Sequence, residues 1–285
     1  MMRDTLRRMV AMIVLIVVGI AVLVWGVRQL EPRMAFFPFD GENVTPRQFG
    51  ADFTALTFDT ADGERLRAWH LPHAEALAQV VYFHGNGGNL SVWADVLVGL
   101  WRERLEVIAV DYRGYGLSSG TPTEQGLYRD VDATIATVDA NLRRQDVALI
   151  YWGRSLGAAM AGYAATRRQP DGVVLEAGFP SARALFDRNP IMLALSAFST
   201  YRFATAEWMA GVTVPTLVIH GERDSVVPYR HGQRLYERLP GPKRFLTIPG
   251  GDHNDPVPAD APLYWGAVRE FIASLSVSSP RRSPR

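Results

Sequence analysis

The sequence predicts an α/β fold: a mainly parallel sheet covered by helices on both faces, preceded by one long apolar helix. Three observations carry this. Short apolar runs without alternation, Val80–Phe83, Val107–Val110 and Val147–Ile150, read as strands buried on both faces. Segments of helical period stand between such runs, so strands and helices alternate along the chain. A chain of 285 residues can hold one large domain and an appendage.

Residues 1–8 form a short N-terminal tail. Residues 9–27, MVAMIVLIVVGIAVLVWGV, carry no charge. A helix of that length covers about 28 Å, close to the hydrocarbon thickness of a bilayer. A cleaved signal peptide should have a shorter apolar region and a small-x-small site after it. Here Trp25-Gly26-Val27-Arg28 follows instead, and a lipobox is impossible without cysteine. Met9–Val27 therefore reads as an uncleaved transmembrane anchor. Arg3, Arg7 and Arg8 precede it, and Arg28 and Arg33 follow. That slight bias predicts a cytoplasmic N-terminus and the bulk of the chain outside the cytoplasm. Residues 28–52, rich in Pro, Gly and aromatics, read as a connector. Met34, Phe36, Phe37 and Phe39 either dip into lipid headgroups or pack on the domain, and the sequence does not choose.

Residues 53–274 carry the alternating pattern. Ala55–Asp59 and Leu66–Leu71 flank the turn signal Asp62-Gly63 and form a hairpin at one sheet edge. Val80–Phe83 is a strand, Ser91–Leu100 a helix, and Val107–Val110 a strand. Thr121-Pro122-Thr123-Glu124 opens a helix reaching about Arg143, with Leu127, Val131, Ile135 and Val138 on one face. Val147–Tyr151 and Val173–Leu175 are strands, separated by a small-residue helix. Val214–Ile219 and Phe245–Ile248 are the last strands, and Tyr229–Leu239 and Leu263–Leu275 the last helices. Residues 178–211 interrupt the alternation for longer than an ordinary connection and read as a small helical cap. Residues 275–285 end in a polar, basic, proline-containing tail expected to be disordered.

The net charge of +1 leaves no nucleic-acid footprint, and the absence of cysteine removes disulfides, thiolate metal sites and a cysteine nucleophile. The chemistry points to Gly153-Arg154-Ser155-Leu156-Gly157. A G-x-S-x-G pentapeptide between a strand and a helix puts the serine on a sharp turn at the sheet top. A serine hydroxyl needs a base, and the base needs an acid to hold its tautomer. Of the histidines after Ser155, His220 ends a buried strand and reads as structural. His231 lies early in a helix and reads as exposed. His253 lies in a loop straight after the last strand, where ligands meet such sheets, and is the expected base. Asp224, just past the strand Val214–Ile219, is the favoured acid. Glu176 is the runner-up, with capping of the cap helix or pairing to an arginine as its alternative roles. Asp252 and Asp255 stand too near His253 in sequence to orient its ring. Two oxyanion donors are expected: the main-chain N–H of Leu156, and that of Asn86 in the glycine-rich loop His84–Asn89. That loop lacks the phosphate-binding and dinucleotide patterns. His84 reads as structural, and His70 and His73 as surface residues.

The segments HGNGGN (His84–Asn89), DYRGYGLSSG (Asp111–Gly120), GRSLG (Gly153–Gly157), VPTLVIHGERDSVVP (Val214–Pro228) and GDHND (Gly251–Asp255) resemble α/β-hydrolase-fold proteins. They look most like the abhydrolase-domain branch that includes membrane-anchored esterases and protein depalmitoylases. The resemblance implies a Ser155–His253–Asp224 triad with Asn86 and Leu156 as oxyanion donors. Arg154 departs from the pattern, since many relatives carry Gln there. The N-terminus also departs, lacking a cysteine cluster for palmitoylation. The expected activity is hydrolysis of carboxylic esters or thioesters of a small-molecule or lipid-like acyl substrate, without a cofactor. Amide cleavage by the same fold, or a catalytically silent membrane scaffold, are the alternatives.

Overall fold

A computed structural model describes residues 2–255 and 261–275, without the side chains of Met2, Asp4 and Met34. The expected headgroup contact of Met34 and the tail after Leu275 lie outside the described residues.

In chain order the elements are α1 (Met2–Ala35), β1 (Phe37–Pro38), β2 (Thr54–Asp59), β3 (Arg65–Leu71), β4 (Ala78–Phe83), β5 (Gly87–Gly88), α2 (Ala94–Arg102), β6 (Leu105–Val110) and α3 (Glu124–Thr137). Then come β7 (Ala148–Arg154), α4 (Leu156–Arg167), β8 (Gly172–Glu176), α5 (Pro190–Leu195), α6 (Thr205–Met209), β9 (Thr216–Gly221), α7 (Tyr229–Arg238), β10 (Lys243–Ile248) and α8 (Ala261–Leu275). The main sheet has eight strands in the order β10-β9-β8-β7-β4-β6-β3-β2. It is parallel from β10 to β6, and β3 and β2 add the expected antiparallel hairpin at the edge. Every residue of β4 and β6 is buried, the polar Gln79 and Glu106 included, as expected for strands covered on both faces. One face of the sheet packs against α3 and α4, through residues such as Leu127 and Met160. The other packs against α2 and α8, through Leu97 and Phe271.

Local sequence explains the helix starts. The Thr123 hydroxyl accepts the Gly126 N–H at 3.0 Å, capping α3. This helix ends earlier than its apolar period suggests, passing into a π turn over Val138–Leu142.

Two expectations need correction. The N-terminal helix does not stop at Val27; it runs on to Ala35, so the connector is shorter than residues 28–52. Pro32 removes one backbone donor but does not end the helix, and Phe36 N–H still reaches the Pro32 carbonyl at 3.2 Å. His231 is not exposed. It is fully buried in α7, and burial pulls its pKa down to about 4, with no hydrogen-bond partner on its ring among the described residues.

The connector packs on the domain. Phe36 is buried, its ring 5.6 Å from Tyr201 and 6.3 Å from Phe203 in the cap. Phe37–Pro38 pairs in parallel with Gly87–Gly88, and Asn89 Nδ2 donates to the Phe39 and Gly41 carbonyls. Phe37 and Phe39 nevertheless keep their rings exposed. Glu31 of α1 also grips the cap: its carboxylate accepts from both the N–H and the hydroxyl of Thr200, each at 2.8 Å. The cap region 178–211 consists of short helical turns, including α5 and α6, and α6 rests against α4.

Candidate active site

Ser155 stands between β7 and α4 with φ 56° and ψ −116°. A non-glycine residue there is strained by about 1–3 kcal/mol, and surrounding packing must hold it. The turn closes only because both flanking positions lack a Cβ. A Cβ on Gly153 would stand 1.8 Å from the Gly157 carbonyl oxygen, and one on Gly157 would stand 1.8 Å from that of Phe83. Ser155 N–H donates to the Glu176 carbonyl at 2.8 Å, which fixes the turn to β8.

Three of the expected residues meet. His253 Nε2 lies 3.0 Å from Ser155 Oγ, and His253 Nδ1 lies 2.7 Å from Asp224 Oδ2. The other Asp224 oxygen accepts the N–H groups of Val226 at 3.0 Å and Val227 at 2.6 Å, so the carboxylate cannot swing. His220 closes it from behind. It donates from Nε2 toward the Val227 carbonyl at 2.8 Å, and burial lowers its pKa. Asp252 does not orient the ring but ties two loops together. Its Oδ1 accepts the N–H groups of Ser225 and His253, both at 2.7 Å.

Glu176 does not reach His253. Its Oε2 accepts from Trp152 Nε1 at 3.1 Å and Tyr264 Oη at 3.0 Å, and its Oε1 lies 3.8 Å from Arg154 Nε. Arg154 in turn donates from Nη2 to the carbonyls of His253 at 2.7 Å and Asp255 at 3.0 Å, and its guanidinium sits 5.5 Å over the Trp93 ring. Burial is the largest single influence and works to lower the Arg154 pKa, but Glu176, Tyr82, Tyr264 and Asp224 together outweigh it and the net shift is upward. The motif marks Arg154 as unusual without revealing this role, because the contact spans a separation of 99 residues. Arg154→Met should lower kcat by about 10- to 100-fold with KM little changed, since a misplaced ring loses alignment rather than binding. Steady-state kinetics alongside a melting curve would check it; an unchanged kcat would mean the His253 loop holds itself.

The oxyanion candidates flank Ser155. Leu156 opens α4, whose N-terminus carries partial positive charge. The Asn86 side chain is committed elsewhere: Nδ2 donates to the Ala35 carbonyl at 2.6 Å, and Oδ1 and the main-chain carbonyl accept from Tyr115 Oη at 2.9 and 3.0 Å. The group that the sequence reading names as oxyanion donor is its main-chain N–H, not this side chain. His84 is buried below, with Nδ1 2.7 Å from the Gly85 carbonyl and Nε2 3.2 Å from Asp111, whose pKa burial raises. His70 is half-buried and lies 3.1 Å from Glu106, and the Glu75 N–H donates to His73.

Ser155, Asn86, Leu156 and His253 share the wall of one cavity of about 1000 Å³. Its lining is mostly apolar and comes from three places: the cap (Phe179, Phe186), the connector (Phe37, Phe39) and α1 itself (Val27, Leu30). A second cavity, of about 310 Å³, is lined by Arg154 and His253 but not by Ser155.

The sheet order, the serine turn and the helices on both faces define an α/β-hydrolase-fold hydrolase, and the chain belongs to that family. A family profile described as serine aminopeptidase, S33, matches residues 74–207. A protein of Mycobacterium tuberculosis with no described activity is 32% identical over 270 residues, covering 94% of this chain and 95% of the relative. A Saccharomyces cerevisiae relative, named a membrane protein, is 31% identical over 235 residues, 80% of this chain and 82% of its own length. Among solved structures, an esterase of Pyrococcus furiosus superposes with a TM-score of 0.69 at 19% identity, covering 84% of this chain and 97% of the esterase. One helix among the described residues, Thr5–Arg33, is long and apolar enough to cross a membrane.

Proposed function

We propose that the protein is a membrane-anchored serine hydrolase cleaving carboxylic esters or thioesters through an acyl-enzyme. The observation that carries this is the unbroken line Ser155 Oγ–His253 Nε2, His253 Nδ1–Asp224 Oδ2 at the wall of an apolar cavity. Ser155 attacks the acyl carbon while His253 takes its proton. Asp224 holds the ring and stabilises the imidazolium. The N–H groups of Leu156 and Asn86 receive the oxyanion, and His253 returns the proton to the leaving alcohol or thiol. Water then repeats the sequence on the acyl-enzyme. The α1 helix spans the membrane, with its N-terminus on the cytoplasmic side and the hydrolase domain outside. The profile described as an aminopeptidase keeps amide cleavage as the rival reaction.

Apolar walls discriminate acyl chains by about 1–3 kcal/mol per methylene at most. Medium-chain p-nitrophenyl esters should therefore give higher kcat/KM than the acetate. A series from acetate to palmitate measures this, beside a matched thioester and an aminoacyl amide. A profile flat or highest at acetate would mean that the cavity makes no acyl pocket. An amide turned over faster than its matched ester would replace the ester reading.

A further inference from the structure

Four large apolar side chains stand in water at the mouth of the larger cavity. Phe37, Phe39, Val92 and Val226 are 55%, 58%, 52% and 53% exposed, and all four line the cavity that holds Ser155. Their backbones are fixed. Phe37 pairs with Gly87 in the small parallel ladder. Phe39 N–H donates to the Gly88 carbonyl at 3.0 Å, and Val92 N–H to that of Asn89 at 2.9 Å. Val226 N–H donates to Asp224. Scattered exposed apolar residues need no explanation, but a cluster round one opening marks an interaction surface.

The same opening is bounded by α1. Val27, Leu30 and Ala35 line it, and Val27 is the last residue of the charge-free stretch. From Val27 to Ala35 a helix rises about 12 Å, at roughly 1.5 Å per residue. A hydrocarbon boundary at Val27 would leave the opening beside the headgroups, where apolar faces of surface-lying elements sink roughly 5–10 Å. Arg28 and Arg33 are exposed at this level, where long basic side chains reach to the headgroups.

We propose that this rim docks on the phospholipid surface beside α1, so that the cavity opens onto the leaflet rather than onto water. Phe37, Phe39, Val92 and Val226 enter the boundary between headgroups and acyl chains. An acyl chain then passes from the leaflet to Ser155 without crossing water. The proposal rests on reading α1 as a membrane span.

The chain has no cysteine, so single-cysteine variants carry one label each. The full chain is placed in phosphatidylcholine–phosphatidylglycerol nanodiscs containing lipids with nitroxide quenchers at shallow and deep positions. A small fluorophore is attached at Phe37→Cys, Phe39→Cys, Val92→Cys or Val226→Cys. Ile16→Cys, inside α1, reports the span. Leu77→Cys reports water, because Leu77 is exposed and precedes β4, at the end of the parallel strands away from Ser155. The rim labels should be blue-shifted and quenched by the shallow lipid, Ile16 by the deep one, and Leu77 by neither. Quenching at Ile16 with rim labels behaving like Leu77 would overturn the docking and leave the span. A quenched rim with Ile16 unquenched would discard the span and overturn docking beside α1, leaving a lipid-binding rim without an anchor. No quenching at either would remove both.

Discussion

Replacing Ser155 with alanine is expected to lower kcat for ester hydrolysis by about 10⁴–10⁶ and to abolish labelling by a fluorophosphonate probe. The fold should survive. Alanine retains the Cβ that this turn already tolerates, and the N–H bond to the Glu176 carbonyl does not involve the hydroxyl. Only the atom 3.0 Å from His253 Nε2 is removed. The measurement is kcat with a p-nitrophenyl ester beside a melting temperature. Wild-type turnover by the alanine protein would place the nucleophile elsewhere. A collapsed melting temperature would void the comparison, and Ser155→Gly, which relieves the positive φ, would then serve in its place.

The second large effect separates the two candidate acids. Asp224→Asn should cost about 10⁴ in kcat, because an amide facing His253 Nδ1 favours the wrong ring tautomer. Glu176→Gln should cost roughly tenfold or less, about 1.4 kcal/mol of barrier. A glutamine oxygen can still accept from Trp152 and Tyr264, and the lost charge stood 3.8 Å from Arg154. Both variants keep their volume, so kcat can be read at matched stability. Equal losses, or a larger loss at Glu176, would sink the assignment of the acid to Asp224.

The legible features share one property: the sequence states them locally. Val80–Phe83 and Val107–Val110 read as buried strands because burial on both faces removes alternation. Ser155, His253 and Asp224 are readable because each follows a strand at the same sheet edge, where parallel order brings loop ends together. What stays hidden depends on distant partners. Pairing of Phe37–Pro38 with Gly87–Gly88 involves two residues a side and leaves no periodicity. His231 is buried by neighbours of α7, although the helix itself looks polar. Pro32 argues for a helix end, yet α1 continues to Ala35, where Phe36 and Glu31 fasten it to the cap.

That fastening decides which part of the molecule can be exchanged as a unit. With Glu31 gripping Thr200 and Phe36 seated against Tyr201 and Phe203, the lower end of α1 is part of the enclosure. A chimera that keeps the domain from Phe36 onward and supplies a foreign helix would inherit the sheet and the serine turn but lose Val27 and Leu30 from the cavity wall. Under the proposed function, its chemistry would be retained while its choice of acyl chain changed. The module boundary therefore falls before Val27, within the apolar stretch rather than where the globular domain begins.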